Sequence, residues 1–434
     1  MEAQRLLNLK TAGVLLLFSI LGLYFIQTGI NNYKSIIDSK EKFQDIERLK
    51  VKQYINYSQY GAYGFRMLFI PGPISVFFVN SSAISELTAN VDTGERLNIY
   101  NSFKGRTLFA EKAGGFKDFS GIMLLLGSLM VLYFGYESMI YNDYLQYMAG
   151  FSGLVKLFLS IVLSRVLIIT LTFSVIGGAS LLLLKINGLR LPVNEMHHWF
   201  VYMGVLMLLF IFFFALGTIT GTLKSRFTGF VTLISLWFIF VFLTPWVVNA
   251  FTAYRADNIV SNYQMELEKL KILMGFEKQA AEKEGPVTDS NTETERKLVE
   301  SAWKNEFKKL QVLEKKLETE MQKNIYRFQI LSCFLPSTFY LSTANEISGK
   351  GYENFIRFYQ YIQDLKWKFI RFYIDKKFNS VSLDVNSFIK GDENLFFAET
   401  LFPQCFERGV QLLVIYIIGL LILSYIRFRG VVKS

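Results

Sequence analysis

The sequence predicts an all-α polytopic membrane protein: six transmembrane helices with both termini cytoplasmic, and two extracytoplasmic segments, the second mainly helical and built on a helical hairpin. Three observations predict it. Of 434 residues, 52% are hydrophobic and 19% charged, more apolar than soluble domains usually carry. Six stretches approach the ~20 apolar residues needed to cross roughly 30 Å of hydrocarbon at about 1.5 Å per residue. Lys and Arg flank alternate ends of those stretches, as they do in cytoplasmic loops.

The spans are Thr11 to Ile30, Phe119 to Met139, Leu157 to Leu184, Trp199 to Leu223, Phe227 to Ala253, and Val410 to Ile426. The first is long for a signal-peptide core and no small-x-small cleavage site follows it, so it reads as a retained anchor. Arg165 in the third is costly at the bilayer centre. The membrane part is therefore expected to begin near it, after a surface-lying coupling helix near residues 142–156. Pro245 should kink the fifth near its outer end, because proline removes a backbone donor. With this topology Arg5, Lys10, Lys156, Arg165, Lys224, Arg226, Arg427, Arg429 and Lys433 share the cytoplasmic side, against Lys185 and Arg190 opposite.

Two segments then lie outside, Asn31 to Asp118 and Tyr254 to Gly409, each treated as a domain of its own. The first has a turn at Pro71 to Pro73 and a short apolar run from Ile74 to Val79. In the second, Asn262 to Lys283 favours helix, Gly285 to Asn291 breaks it, and Thr294 to Phe328 resumes it. Leu298, Ala302, Leu310, Leu313, Leu317, Met321 and Ile325 recur there at three- and four-residue steps, which predicts a hairpin with one apolar seam. A later stripe of Phe355, Phe358, Tyr361 and Ile362 either packs as core or lies on the outer leaflet. The formal charge of +10 is spread over charge-mixed helices and span flanks rather than clustered, which speaks against nucleic acid as a partner.

Phe116-Lys117-Asp118-Phe119, Gly135-Tyr136-Glu137 and Asn142-Asp143-Tyr144-Leu145 resemble the type-2 ABC exporter permeases, with Ser164-Arg165 in the place where that family opens its third span on Gly-Lys. Leu335-Pro336-Ser337 and Ser348-Gly349-Lys350-Gly351 are similar to a sub-branch with two large outer segments, related to permeases of nitrous oxide reductase maturation and gliding motility. The resemblance implies a bacterial inner-membrane permease working as a homodimer or with a related paralogue. A separate cytoplasmic ATPase would carry ATP and Mg, and this chain no cofactor. It also implies a coupling surface at Glu137, Asn142, Asp143, Tyr144 and Arg165, although Asn142-Asp143 and Asp143-Tyr144-Leu145 depart from the family's Glu-Arg-Glu and Gly-Thr-Leu.

No Gly-x-x-x-x-Gly-Lys-Ser/Thr occurs, and two His leave little scope for acid-base catalysis, so the chain is not expected to be an enzyme. Glu137 either pairs with Arg165 or a partner, or ends a helix in water. Gly217 and Gly221 form a Gly-x-x-x-Gly packing step with Thr218, Thr220 and Thr222 able to bond between helices. Glu195-Met196-His197-His198 gathers metal-ligating types, but adjacent His side chains point apart and no metal is expected. Cys333 and Cys405 both fall near the outer surface and form a candidate disulfide. The rival reading is a membrane-anchored scaffold whose outer helices recruit an envelope protein without transport.

Overall fold

The computed structural model describes residues 9–78, 88–93, 98–100, 118–140, 153–223, 225–256, 292–378 and 394–433, with 267, 268, 271, 274 and 388 between them. The chain is mostly helical, and among the described residues six helices are long and apolar enough to cross a membrane. These are α1 (Leu9–Lys52), α3 (Phe119–Met139), α4 (Leu154–Ile186), α5 (Val193–Gly221), α6 (Arg226–Phe238 continuing to Thr244–Ala256) and α10 (Phe406–Lys433). Between and beside them lie α2 (Tyr57–Tyr63), α7 (Thr292–Cys333), α8 (Pro336–Ile347), α9 (Tyr352–Phe378) and strands β1 (Phe65–Ile70), β2 (Thr88–Val91), β3 (Asn98–Tyr100) and β4 (Leu395–Phe397).

The fold is therefore not all-α. The strands form one sheet in the order β3-β2-β1-β4, antiparallel except for the parallel pair β1 and β4. That pair joins the segments 31–118 and 254–409, so the two share one sheet and one folded unit rather than two. Phe65, Met67 and Phe69 point to the same face and are buried, while Arg66 is exposed. Their face meets Phe355, Phe358, Ile362 and Phe369 of α9, so the aromatic stripe of α9 is core, with Tyr361 at its exposed rim.

In the bundle, α3 and α5 are central, 72% and 67% buried over their most apolar windows, whereas the outer four spans are 17% to 28% buried. Glycine sets the close approach. A Cβ on Gly217 would stand on the Leu132 carbonyl, one on Gly221 on that of Tyr136, and one on Gly135 on that of Phe214. The packing step thus acts within the chain, between α5 and α3. Thr218, Thr220 and Thr222 donate to carbonyls of their own helix, at 2.7, 2.9 and 2.7 Å, instead of bonding across it.

Three helices depart from the expected spans. α1 does not stop at Ile30 but runs 44 residues, roughly 66 Å, because Asn31 to Lys52 is polar yet free of Gly and Pro. α4 is continuous from Leu154, so residues 154–156 belong to the third span and not to a separate coupling helix, and Arg165 is half-buried within it. In α6 a π turn over Ile239–Leu243 precedes Pro245, widening the helix where proline's missing N–H and ring disturb the α ladder. A second π turn, Met123–Gly127 in α3, is anchored by the Trp237 indole, which donates to Ser128 Oγ at 3.1 Å and to the Leu125 carbonyl at 3.3 Å.

The Ile325 and Phe328 end of the α7 seam packs on Tyr352 and Ile356 of α9 and on Val248 of α6. The hairpin's other arm, Asn262 to Lys283, lies almost wholly outside the described residues.

Candidate functional site

The bundle meets the sheet domain at one end, and there the sequence Pro73-Ile74-Ser75-Val76-Phe77-Phe78 folds into a 3-10 turn and enters the mouth of the spans. Proline at the first helical position presets the backbone, and Ile74 to Phe78 are each no more than 2% exposed. Their seat is built for close approach. Gly29 of α1 lies where a Cβ would collide with the Val76 carbonyl, and Gly72 leaves room for the Glu195 carboxylate. Glu195 Oε2 accepts from the Ile74 N–H at 2.8 Å, satisfying a donor at the start of the turn. Phe77 meets Phe119 and Trp199 at 5.8 and 6.3 Å, and Phe78 stands edge-on to Tyr202 at 4.8 Å. The segment is an apolar wedge between α1, α3 and α5.

Glu195 is thus committed to the peptide chain. His198 stacks on Phe402 at 4.4 Å and its Nδ1 lies 2.8 Å from the Asn194 carbonyl and 3.3 Å from Thr400 Oγ1, while Met196 and His197 are exposed. The four residues diverge instead of facing a common centre.

Beside the wedge, α8 is buried at every residue but the half-buried Leu341, despite its many polar residues. Tyr340 donates to the Ser120 carbonyl at 3.0 Å and accepts from Ser120 Oγ at 3.1 Å, so in its 2.6 Å bond with Tyr202 it is the Tyr202 hydroxyl that donates. α3, α5 and α8 are tied in one short chain of hydrogen bonds, worth more in this dry setting than at a surface. Asp118 caps α3 by accepting from the Gly121 N–H at 2.6 Å.

The turn from α8 to α9 holds two buried ionisable groups. Glu346 accepts from the Tyr352 and Glu353 N–H groups at 3.0 and 3.4 Å, and burial, followed by the nearby Glu353 charge, pushes its carboxyl up to about 8. Burial pulls Lys350 down to about 8, with Asp118 opposing the shift. Gly349 takes φ +74°, which only glycine adopts freely, and the Glu346 carboxylate fills the space of a Cβ on Gly351. Nearby, Cys333 at the end of α7 is disulfide-bonded to Cys405, just before α10.

At the opposite end of the bundle, Glu137 is exposed, two residues before α3 ends at Met139. Tyr136 donates to the Arg226 carbonyl at 2.8 Å, holding α3 to the start of α6, and Phe158 of α4 packs on Tyr425 and Phe428 of α10. Asn142, Asp143 and Tyr144 lie outside the described residues. The structure therefore describes Glu137 and Arg165 of the expected coupling surface without its middle.

Sequence reasoning missed Glu346, Lys350, the tyrosine bridge and the role of the apolar run at Ile74. Gly349-Lys350-Gly351 reads from the sequence as a turn, and nothing local announces that α8 lies beneath the domain. The apolar run Ile74 to Val79 is legible in the sequence, but the seat of its described part, Ile74 to Phe78, on Gly29 and Glu195 is assembled from distant parts of the chain. No family model, no curated protein and no solved structure matches this chain.

Proposed function

We propose that this chain is the permease subunit of an ABC-type exporter in a bacterial cytoplasmic membrane, coupling ATP hydrolysis on a separate subunit to export or to force transmission across the bilayer. The observation that carries the proposal is the stiff connection between the two ends of the molecule. α1 is one helix from the bundle to the sheet, where the Arg66 N–H of β1 donates to its Glu47 at 2.9 Å and its Lys40 lies over the Phe397 ring of β4 at 5.2 Å. A tilt imposed on the spans at the far end would reach the domain without passing through a flexible linker.

Charge and redox chemistry support one orientation. Lys156, Arg226, Arg427 and Arg429 lie at or near the far ends of their helices, where a cytoplasmic face collects basic residues. The disulfide lies at the domain end, which suits an oxidising compartment. The domain is then extracytoplasmic, and the exposed Glu137 faces the side of the ATPase. A second copy, or a related paralogue, completes the transporter, and an envelope protein can meet the domain.

The scaffold reading has one observation in its favour: the wedge closes the domain end of a tightly packed bundle, which suits a machine through which nothing passes. Affinity purification of the tagged chain from mild detergent separates the two. A stoichiometric P-loop ATPase should co-purify, with its activity lowered when Asn142-Asp143-Tyr144 is replaced by alanines. Recovery of envelope proteins alone, with no ATPase under several gentle conditions, hands the case to the scaffold.

A further inference from the structure

A cleft of about 340 Å³ opens between α7, α9 and the residues leading into α10, lined by Gln322, Lys323, Ile325, Tyr326, Glu353, Ile356 and Gln404. Its volume is at the lower end for ligand sites, suited to a small polar group and not a whole amphiphile. Its position is at the surface of the bundle. Ile325 and Ile356 share a core with Val248 of α6, inside the apolar window Arg226–Thr252, and Gln404 comes two residues before α10. Along α7, Tyr326 is seven residues from Cys333, roughly 10 Å. The cleft is thus about two helical turns from the end of α7 that the disulfide ties to the start of α10.

The polar groups have a definite charge pattern. Glu353 is half-buried, and its Oε1 accepts from Gln404 Nε2 at 2.8 Å and Gln329 Nε2 at 3.4 Å, so the carboxylate is held in place. Glu346 lies behind it, receiving the Glu353 N–H. Lys323 is exposed on the rim. A ligand here meets negative charge in the wall and one positive charge at the edge. Toward the bundle, Phe334, Val247 and Trp246 are exposed apolar surface at 52%, 48% and 65%, ready to lie against acyl chains.

We propose that this cleft binds the headgroup of a phospholipid carrying a primary ammonium and a phosphate, of the phosphatidylethanolamine type, with Glu353 accepting from the ammonium and Lys323 meeting the phosphate. The lining discriminates among headgroups. A choline ammonium has no N–H to give Glu353 and is best held by a cage of aromatic faces, of which the cleft supplies only Tyr326. A glycerol headgroup, whose charge is on the phosphate alone, offers Glu353 neutral hydroxyl donors and so forgoes the charge-assisted part of the bond. The proposal needs only a bilayer around the bundle, so it stands or falls apart from the ATPase.

The test is native mass spectrometry of the full chain in detergent, titrated with synthetic phosphatidylethanolamine, phosphatidylcholine and phosphatidylglycerol. One charge-assisted hydrogen bond predicts that phosphatidylethanolamine binds about tenfold more tightly than the other two. Glu353→Gln should remove that preference. Lys323→Ala, on an exposed side chain apart from the buried joint, should weaken all three lipids alike, since each carries the phosphate. Equal binding of the three lipids, or a preference that survives Glu353→Gln in protein with the parent melting temperature, overturns the proposal. Displacement of the lipid by an equimolar amount of water-soluble glycerophosphoethanolamine would overturn its assignment to a membrane lipid.

Discussion

Glu346 and Lys350 stand four residues apart on the turn between α8 and α9, and burial drives them in opposite directions from ordinary values of 4.5 and 10.5 to about 8. The consequence for stability depends on sign. Between pH 4.5 and 8 an unfolded Glu346 has lost its proton while the folded one keeps it, so its contribution declines as pH rises through that window. Between pH 8 and 10.5 an unfolded Lys350 still holds a proton that the folded one has released, so stability recovers as pH rises. The pair should therefore produce a minimum in stability near pH 8. Melting curves taken from pH 5 to 10 should show it. Glu346→Gln should flatten the acid-side decline and Lys350→Met the alkaline-side recovery, each by an effect on the order of a few kcal/mol. Curves of unchanged shape in both variants would show that other groups set the profile.

Among the elements, the wedge is the one whose fit is most specific, since it depends on a missing side chain in a different helix. Gly29→Val drives two methyls into the Val76 backbone, whereas Gly13 of the same helix has open space around its Cβ position. Gly13→Val therefore controls for helix propensity. Gly29→Val should cost about 1–3 kcal/mol beyond Gly13→Val, the usual penalty for overpacking. It should also make a cysteine placed at Ser75, buried at 2% in the parent, react with a thiol reagent. Unchanged reactivity would mean that the bundle, not the wedge, gives way.

This dependence on distant partners also explains which elements were legible in the sequence. The apolar runs were read correctly as helices able to cross a membrane, because twenty apolar residues carry their own signal. The strands were missed because Phe65 to Ile70 is broken only by Arg66 and otherwise runs apolar, without the alternation that marks a strand, and because β1 finds its parallel partner only at Leu395 to Phe397. Similarly, Glu195 and His198 suggested ligands by type and spacing. Only tertiary structure shows one capping Ile74 and the other stacked on Phe402.

For the molecule as a whole, the issue is which way it faces, since that decides whether the domain can act outside the cell. Among the described residues, α1, the wedge, the tyrosine bridge through Tyr340 and the disulfide that precedes α10 all tie the domain to the bundle. Because they lie side by side at one end, a label on the domain reports the orientation of the whole bundle. Ser39, on the exposed face of α1 in the domain, and Ser225, exposed at the far end before α6, are suitable positions for single cysteines. The two native cysteines are bonded to each other and do not compete for the label. In intact cells a membrane-impermeant maleimide should modify Ser39→Cys, and Ser225→Cys should react only after lysis. The reverse pattern would place the domain and its disulfide in the reducing interior and Glu137 outside, where no cytoplasmic ATPase could reach it. It would then overturn the exporter proposal while leaving the six-helix bundle intact.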